Sequence, residues 1–139
     1  MPIATVQKLC APSAIVKSDS LVEQVAQIED FASGKVDGRA FFQRNYFTQG
    51  LELLVRRGFE RLAGKSDDGA FYLTQAMGGG KTHSLIAFGL LAADPALRRE
   101  IVPKLADGAD FGAAKVVIFN GHQNPDTLLW GYLAEKLGR

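Results

Sequence analysis

Residues 74–84 read Thr-Gln-Ala-Met-Gly-Gly-Gly-Lys-Thr-His-Ser. Three glycines in a row, Gly78, Gly79 and Gly80, sit badly inside a helix or a strand, where each costs about 0.5–1 kcal/mol relative to alanine. Their natural place is a turn that uses positive φ angles and brings the backbone close to something a Cβ would exclude. After the triplet, Thr82 to Ala93 is helix-compatible and apolar on most faces, the pattern of a helix packed on all sides. Before it, Ala70-Phe71-Tyr72-Leu73-Thr74 is a short apolar run rich in β-favouring residues and bounded by Gly69, which predicts a buried strand. The loop therefore opens onto a helix N-terminus, where unpaired amides and the helix dipole favour an anion.

The segment ends as a P-loop does, with Gly80-Lys81-Thr82. In a Walker A arrangement the N–H groups from Met77 through His83 wrap a phosphate. Gly78, Gly79 and Gly80 allow the close approach, Lys81 neutralises charge between β- and γ-phosphates, and the Thr82 hydroxyl holds Mg²⁺. Lys81 is accordingly the expected catalytic residue. Met77, Gly78, Gly79, Gly80, Lys81, Thr82 and His83 are the expected nucleotide-binding set, with ATP and Mg²⁺ as cofactors and Thr82 as the metal ligand. One position departs from the full pattern: Gln75 stands where the first glycine belongs. Hydrolysis needs more than a cradle, namely an acid on a second strand to hold the metal and a group to position water. The comparable run, Lys115-Val116-Val117-Ile118-Phe119, ends in Asn120-Gly121-His122, and no such acid follows.

The remaining chain predicts mostly helix. Apolar residues at Leu21, Val22, Val25, Ile28 and Phe31 mark one helical face over 18–31, with Asp19 or Ser20 as its cap. Residues 33–38 are a turn-rich break, followed by an aromatic cluster at Phe41, Phe42, Tyr46 and Phe47. Thr48 caps a helix running to Ala63, with Leu51, Leu54, Val55, Phe59 and Leu62 inward and Gly64 as its stop. Arg56, Arg57 and Arg61 read as its solvated side. Asp94-Pro95 opens a short helix over 96–102, which Pro103 breaks. Asn124, with Pro125 at the first position, caps a last helix lined by Leu128, Leu129, Tyr132, Leu133 and Leu137, with Trp130 packed. The Ala70–Thr74 and Lys115–Phe119 strands, each followed by a helix, argue α/β.

Sixteen Lys+Arg against fifteen Asp+Glu give a net charge of +1, so there is no global basic field directed at nucleic acid. A single cysteine, Cys10, excludes an internal disulfide and any multi-cysteine metal site, and fits a reducing, cytoplasmic setting. The longest uncharged apolar run, Leu85 to Ala93, is far short of the ~20 residues that span a bilayer, so no membrane partner is expected.

The string Gly78-Gly79-Gly80-Lys81-Thr82-His83-Ser84-Leu85 resembles the N-terminal part of a prokaryotic domain-of-unknown-function family, number four-nine-nine. So do Phe41-Phe42-Gln43-Arg44-Asn45-Tyr46-Phe47-Thr48-Gln49-Gly50-Leu51 and Thr127-Leu128-Leu129-Trp130-Gly131 with Leu137-Gly138. The resemblance implies a large AAA-like P-loop ATPase, in a group that includes the PglY/BrxC-like ATPases of phage defence. It implies Gly78–Thr82 as the nucleotide loop, DNA or other defence proteins as partners of the parent protein, and a homo-oligomer. With it, the chain divides into a helical segment over 1–64 and the N-terminal part of the ATPase domain over 65–139. The fold class expected is an α/β P-loop NTPase fold, incomplete, because in such folds later strands separate these two. The expectation is thus a piece of a longer ATPase that binds nucleotide. The alternative is a non-catalytic nucleotide-binding or protein-interaction fragment that lacks the hydrolytic half.

Overall fold

The computed structural model describes residues 27–74 and 78–138, and the expected helix start at Asp19 or Ser20 lies outside them. Seven helices form among the described residues: α1 (Ile28–Ala32), α2 (Gly38–Arg44), α3 (Gln49–Leu62), α4 (Lys81–Ala93), α5 (Pro95–Ile101), α6 (Pro103–Ala106) and α7 (Leu129–Leu137).

Side-chain caps set three of their starts. Asp37 caps α2 by accepting from the Ala40 amide, and Thr48 caps α3 by accepting from the Leu51 amide. Asp94 Oδ1 accepts from the amides of Ala96 and Leu97 at 2.8 and 3.1 Å, with Pro95 in the first turn of α5. The last helix starts later than expected. Asn124 spends its amide on the Asn120 carbonyl within a turn, and α7 begins at Leu129 without a side-chain cap.

Helix α4 is the centre of the packing and touches α1, α3 and α5. Its Ile86, Ala87, Leu91 and Ala92 are all but fully buried, among Leu51, Val55 and Phe59 of α3, Phe41 of α2 and Leu97 of α5. Two helix glycines are notches for rings. Gly58 of α3 receives Phe88 of α4, and Gly89 of α4 receives Phe31 of α1, whose Cε1 and Cζ lie 2.6 Å from where a Cβ would stand. Arg98 is buried at the end of α5, where a cation suits the helix dipole. Its guanidinium carbon lies 3.7 Å from the Phe111 ring centre and 5.3 Å from that of Phe59. Its Nη2 donates to the carbonyls of Phe111 and Gly112, which pins the following loop to the core. Burial, and then the neighbouring Arg99 charge, lower the Arg98 pKa from its ordinary value.

The expected α/β P-loop fold is corrected: among the described residues there is no strand and no sheet. Residues 70–74 and 115–119 run as irregular chain. A strand is defined by its ladder of backbone hydrogen bonds, and neither run forms one with the other or with any described segment. Nor is the 70–74 run buried as expected: Ala70, Phe71, Tyr72 and Thr74 are exposed, Tyr72 91% so, and in the second run Val116 is exposed while Val117, Ile118 and Phe119 are half-buried. Val116, Val117, Ile118 and Phe119 share an apolar cavity of about 280 Å³ with Ile28 and Phe31 of α1 and Leu85 and Phe88 of α4. Helix α7 lies outside this core and meets it through Tyr132, edge-on to Phe119 at 5.3 Å. Trp130, expected to pack, is 79% exposed, and Leu128 is exposed as well.

Two substitutions test this packing. Gly58→Ala gains helix propensity of about 1 kcal/mol, yet displaces the Phe88 ring and should lower stability by a net ~1–2 kcal/mol. Gly50→Ala, at an open position of the same helix, should not lower it. Arg98→Ala leaves two carbonyls unpaired and empties the space between two rings, and should cost about 2–4 kcal/mol. Denaturant unfolding of the three variants reads both effects.

Candidate functional site

The glycine loop leads directly into α4. Gly78 has φ +79° and Gly80 has φ +77°, the left-handed region that residues with a Cβ avoid. Gly79 does not share that requirement. All three glycines are exposed, and a Cβ built at Gly78 or Gly80 would meet no atom within 4 Å. The selection for glycine at these two positions is therefore conformational: the backbone, not a crowded neighbour, demands it.

Gly80 is the N-cap of α4, and no side chain caps the helix. Helices α2, α3 and α5 each receive an oxygen from Asp37, Thr48 or Asp94. Helix α4 is thirteen residues long, and its N-cap is a glycine, which has no side chain to offer. Ser84 turns the other way, its Oγ donating to the Gly80 carbonyl at 3.0 Å, which tightens the first turn.

The expected site residues fall as follows. Gly78, Gly79 and Gly80 form the exposed turn; Lys81 and Thr82 are the first two helical residues, Lys81 half-buried and Thr82 exposed; Met77 lies outside the described residues. His83 is half-buried, and its ring stacks on Phe41 of α2 at 4.7 Å between centroids and 23° between planes. Burial lowers the His83 pKa below its ordinary 6.5. The donor set suits an oxyanion: a left-handed glycine turn, a helix start without a cap, an ammonium side chain and a hydroxyl side by side. Among the described residues no group of three or more His, Cys, Asp or Glu could hold a metal ion. No helix among them is long and apolar enough to cross a membrane.

At the end of the 115–119 run, Asn120 donates through Nδ2 to Glu29 Oε1 of α1 at 2.8 Å, and its Oδ1 accepts from the His122 amide. His122 itself is exposed. Sequence reasoning missed two pairings, His83 with Phe41 and Asn120 with Glu29. The second joins residues 91 apart and leaves no local trace. The first had a partial signal in the aromatic cluster, which marked Phe41 without naming its partner.

In comparison with known proteins, the family model described as the DUF499 N-terminal domain matches residues 16–107. That span takes in α1 to α6 and the glycine loop, and stops before the 115–119 run and α7. Neither the curated proteins nor the solved structures yield a match.

The half-buried imidazole makes stability depend on pH with a definite sign. Because the folded-state pKa lies below that of the unfolded chain, the unfolded state takes up the proton first. The His83 contribution is complete above about pH 6.5 and is lost as pH falls from there through the lower folded value. Melting temperatures of wild type and His83→Phe, measured from pH 7.5 to 5, should converge or cross as pH falls, with wild type losing more.

Proposed function

The chain belongs to the DUF499 N-terminal domain family, and from that premise we propose that it binds a nucleoside triphosphate, ATP with Mg²⁺, on the loop that opens α4. The observation that carries this reading is the pairing of a left-handed glycine turn with a helix start that no side chain caps. Backbone N–H groups of Gly78, Gly79 and Gly80 would hold phosphate oxygens. Lys81 would offset their negative charge, and the Thr82 hydroxyl would face Mg²⁺. Bound there, the metal neutralises phosphate charge and orients the oxygens. Met77 and His83 would contribute through their amides.

Binding without turnover is the form proposed for these residues by themselves. No carboxylate closes the 115–119 run, and the acid nearest its end, Glu29, is engaged by the Asn120 amide. Turnover belongs to the wider proposal: an ATPase of the PglY/BrxC-like phage-defence kind, working with DNA or defence proteins as a homo-oligomer. Lys81→Ala should weaken Mg-ATP binding at least about tenfold, roughly 1.4 kcal/mol. Gly80→Val, which puts a branched side chain at φ +77°, should weaken it further. Titration calorimetry checks both. A wild type that ignores millimolar Mg-ATP, or a Lys81→Ala variant that binds as tightly as wild type, sinks the reading.

A further inference from the structure

The first turn of α4 begins at a glycine N-cap in the left-handed region. It follows a glycine triplet, the residue type that loses most conformational freedom on ordering, and no N-cap side chain bonds to it, as is also true of α1, α6 and α7, whereas α2, α3 and α5 are capped. A cap on an exposed helix start stabilises it by satisfying one of its open amides. Here it would also occupy the amides that the proposed phosphate site uses. Ser84 ties this turn back to the Gly80 carbonyl, and a second contact reaches it from the core.

The side chain at the third position of the turn is His83, and its ring lies flat on Phe41, a residue 6% exposed in the core. The platform under that stack is itself fixed. Phe41 meets Phe42 edge-on at 5.2 Å, and Phe42 meets Phe47 at 6.4 Å, one residue before the Thr48 cap of α3. Helix α2 is also tied to α5, through Arg39 Nε donating to Glu100 Oε2 at 2.9 Å and through Gly38 seated against Leu97. The ring of His83 thus connects the start of α4 to two helices that are anchored elsewhere.

We propose that His83 is a positioning residue: its ring, stacked on Phe41, takes the place of a helix cap and keeps the first turn of α4 and the Gly78–Gly80 loop in one arrangement. The nucleotide half of this proposal rests on the phosphate-binding reading above; the anchoring half does not. A ring committed to Phe41 is not a phosphate ligand, so what the position requires is a flat, stackable side chain. Phenylalanine should therefore serve and alanine should not. Leucine in place of Phe41 keeps most of the core volume and removes the stacking partner, and should resemble His83→Ala.

The test is hydrogen exchange of the amides of residues 84–87, which bond back into the first turn of α4 beginning with Ser84 to the Gly80 carbonyl, in the nucleotide-free 139-residue chain, followed by Mg-ATP titration of the same proteins. In His83→Ala and Phe41→Leu these amides should exchange about tenfold faster than in wild type, with the α3 amides unchanged, since local opening reports local anchoring. His83→Phe should stay within about twofold of wild type in exchange and in nucleotide affinity, whereas His83→Ala should bind about tenfold more weakly. Unchanged exchange in His83→Ala overturns the anchor. Loss of affinity in His83→Phe equal to that in His83→Ala, with normal exchange, makes the imidazole nitrogens ligands and overturns the positioning role. If no variant, wild type included, binds Mg-ATP while the exchange pattern holds, the anchor stands and the nucleotide reading falls.

Discussion

Everything in this structure leans on a helix with no polar side beyond its first turn. From Leu85 to Ala93, α4 carries no charged residue, and its buried residues Ile86, Ala87, Gly89, Leu90, Leu91 and Ala92 fall all around the circumference at about 100° per step. Such a helix is stable in water only if it is wrapped. Its neighbours are too short to persist alone: α1 has five residues and α5 has seven, below the length at which isolated helices form. They exist because α4 offers them apolar surface, and α4 is stable because they cover it. The glycine notches at Gly58 and Gly89 follow from this mutual dependence, since a ring can reach the helix axis only where no Cβ intervenes.

The helical parts of the fold were legible where local chemistry decides. Thr48 caps α3 as its position before an amphipathic stretch requires, and Gly64 follows the helix with φ +71°. Asp94 caps α5, and Pro95 sits where its missing amide costs nothing. The apolar runs were not legible in the same way. A continuous apolar stretch of five residues states that its side chains want cover, but not whether a strand or a helix face provides it. Val116 to Phe119 lie beside α1 and α4 and are only partly covered by them, and Ala70 to Tyr72 stay exposed. The α/β expectation therefore failed in pairing at both runs and in burial at the first. The early part of α7 failed for a related reason: Asn124 has the chemistry of a cap, and a nearby carbonyl at Asn120 claimed it.

The candidate site was legible in its backbone and not in its supports. A run of three glycines before Lys-Thr announces a left-handed turn, and Gly78 and Gly80 adopt one. What holds the turn is a contact between residues 41 and 83, far apart in sequence and joined only by the packing of α2 on the α4 end. Periodicity identifies faces, not which ring meets which.

Helix α4 also divides its labour along its length. Lys81, Thr82, His83 and Ser84 are its polar residues, and they all lie in its first turn, at the edge of the core. The residues beyond them make the core. Lys81 and Thr82 can therefore change without opening a cavity, because neither is among the buried residues of the helix. His83 stands at the boundary, exposed enough to adjoin the loop and buried enough to stack on Phe41. Loops that meet ligands are drawn from the low-stability end of a fold, and this one is built where the most strongly buried helix emerges. A single ring is then enough to connect the two regimes, because the far side of that ring is already part of the core.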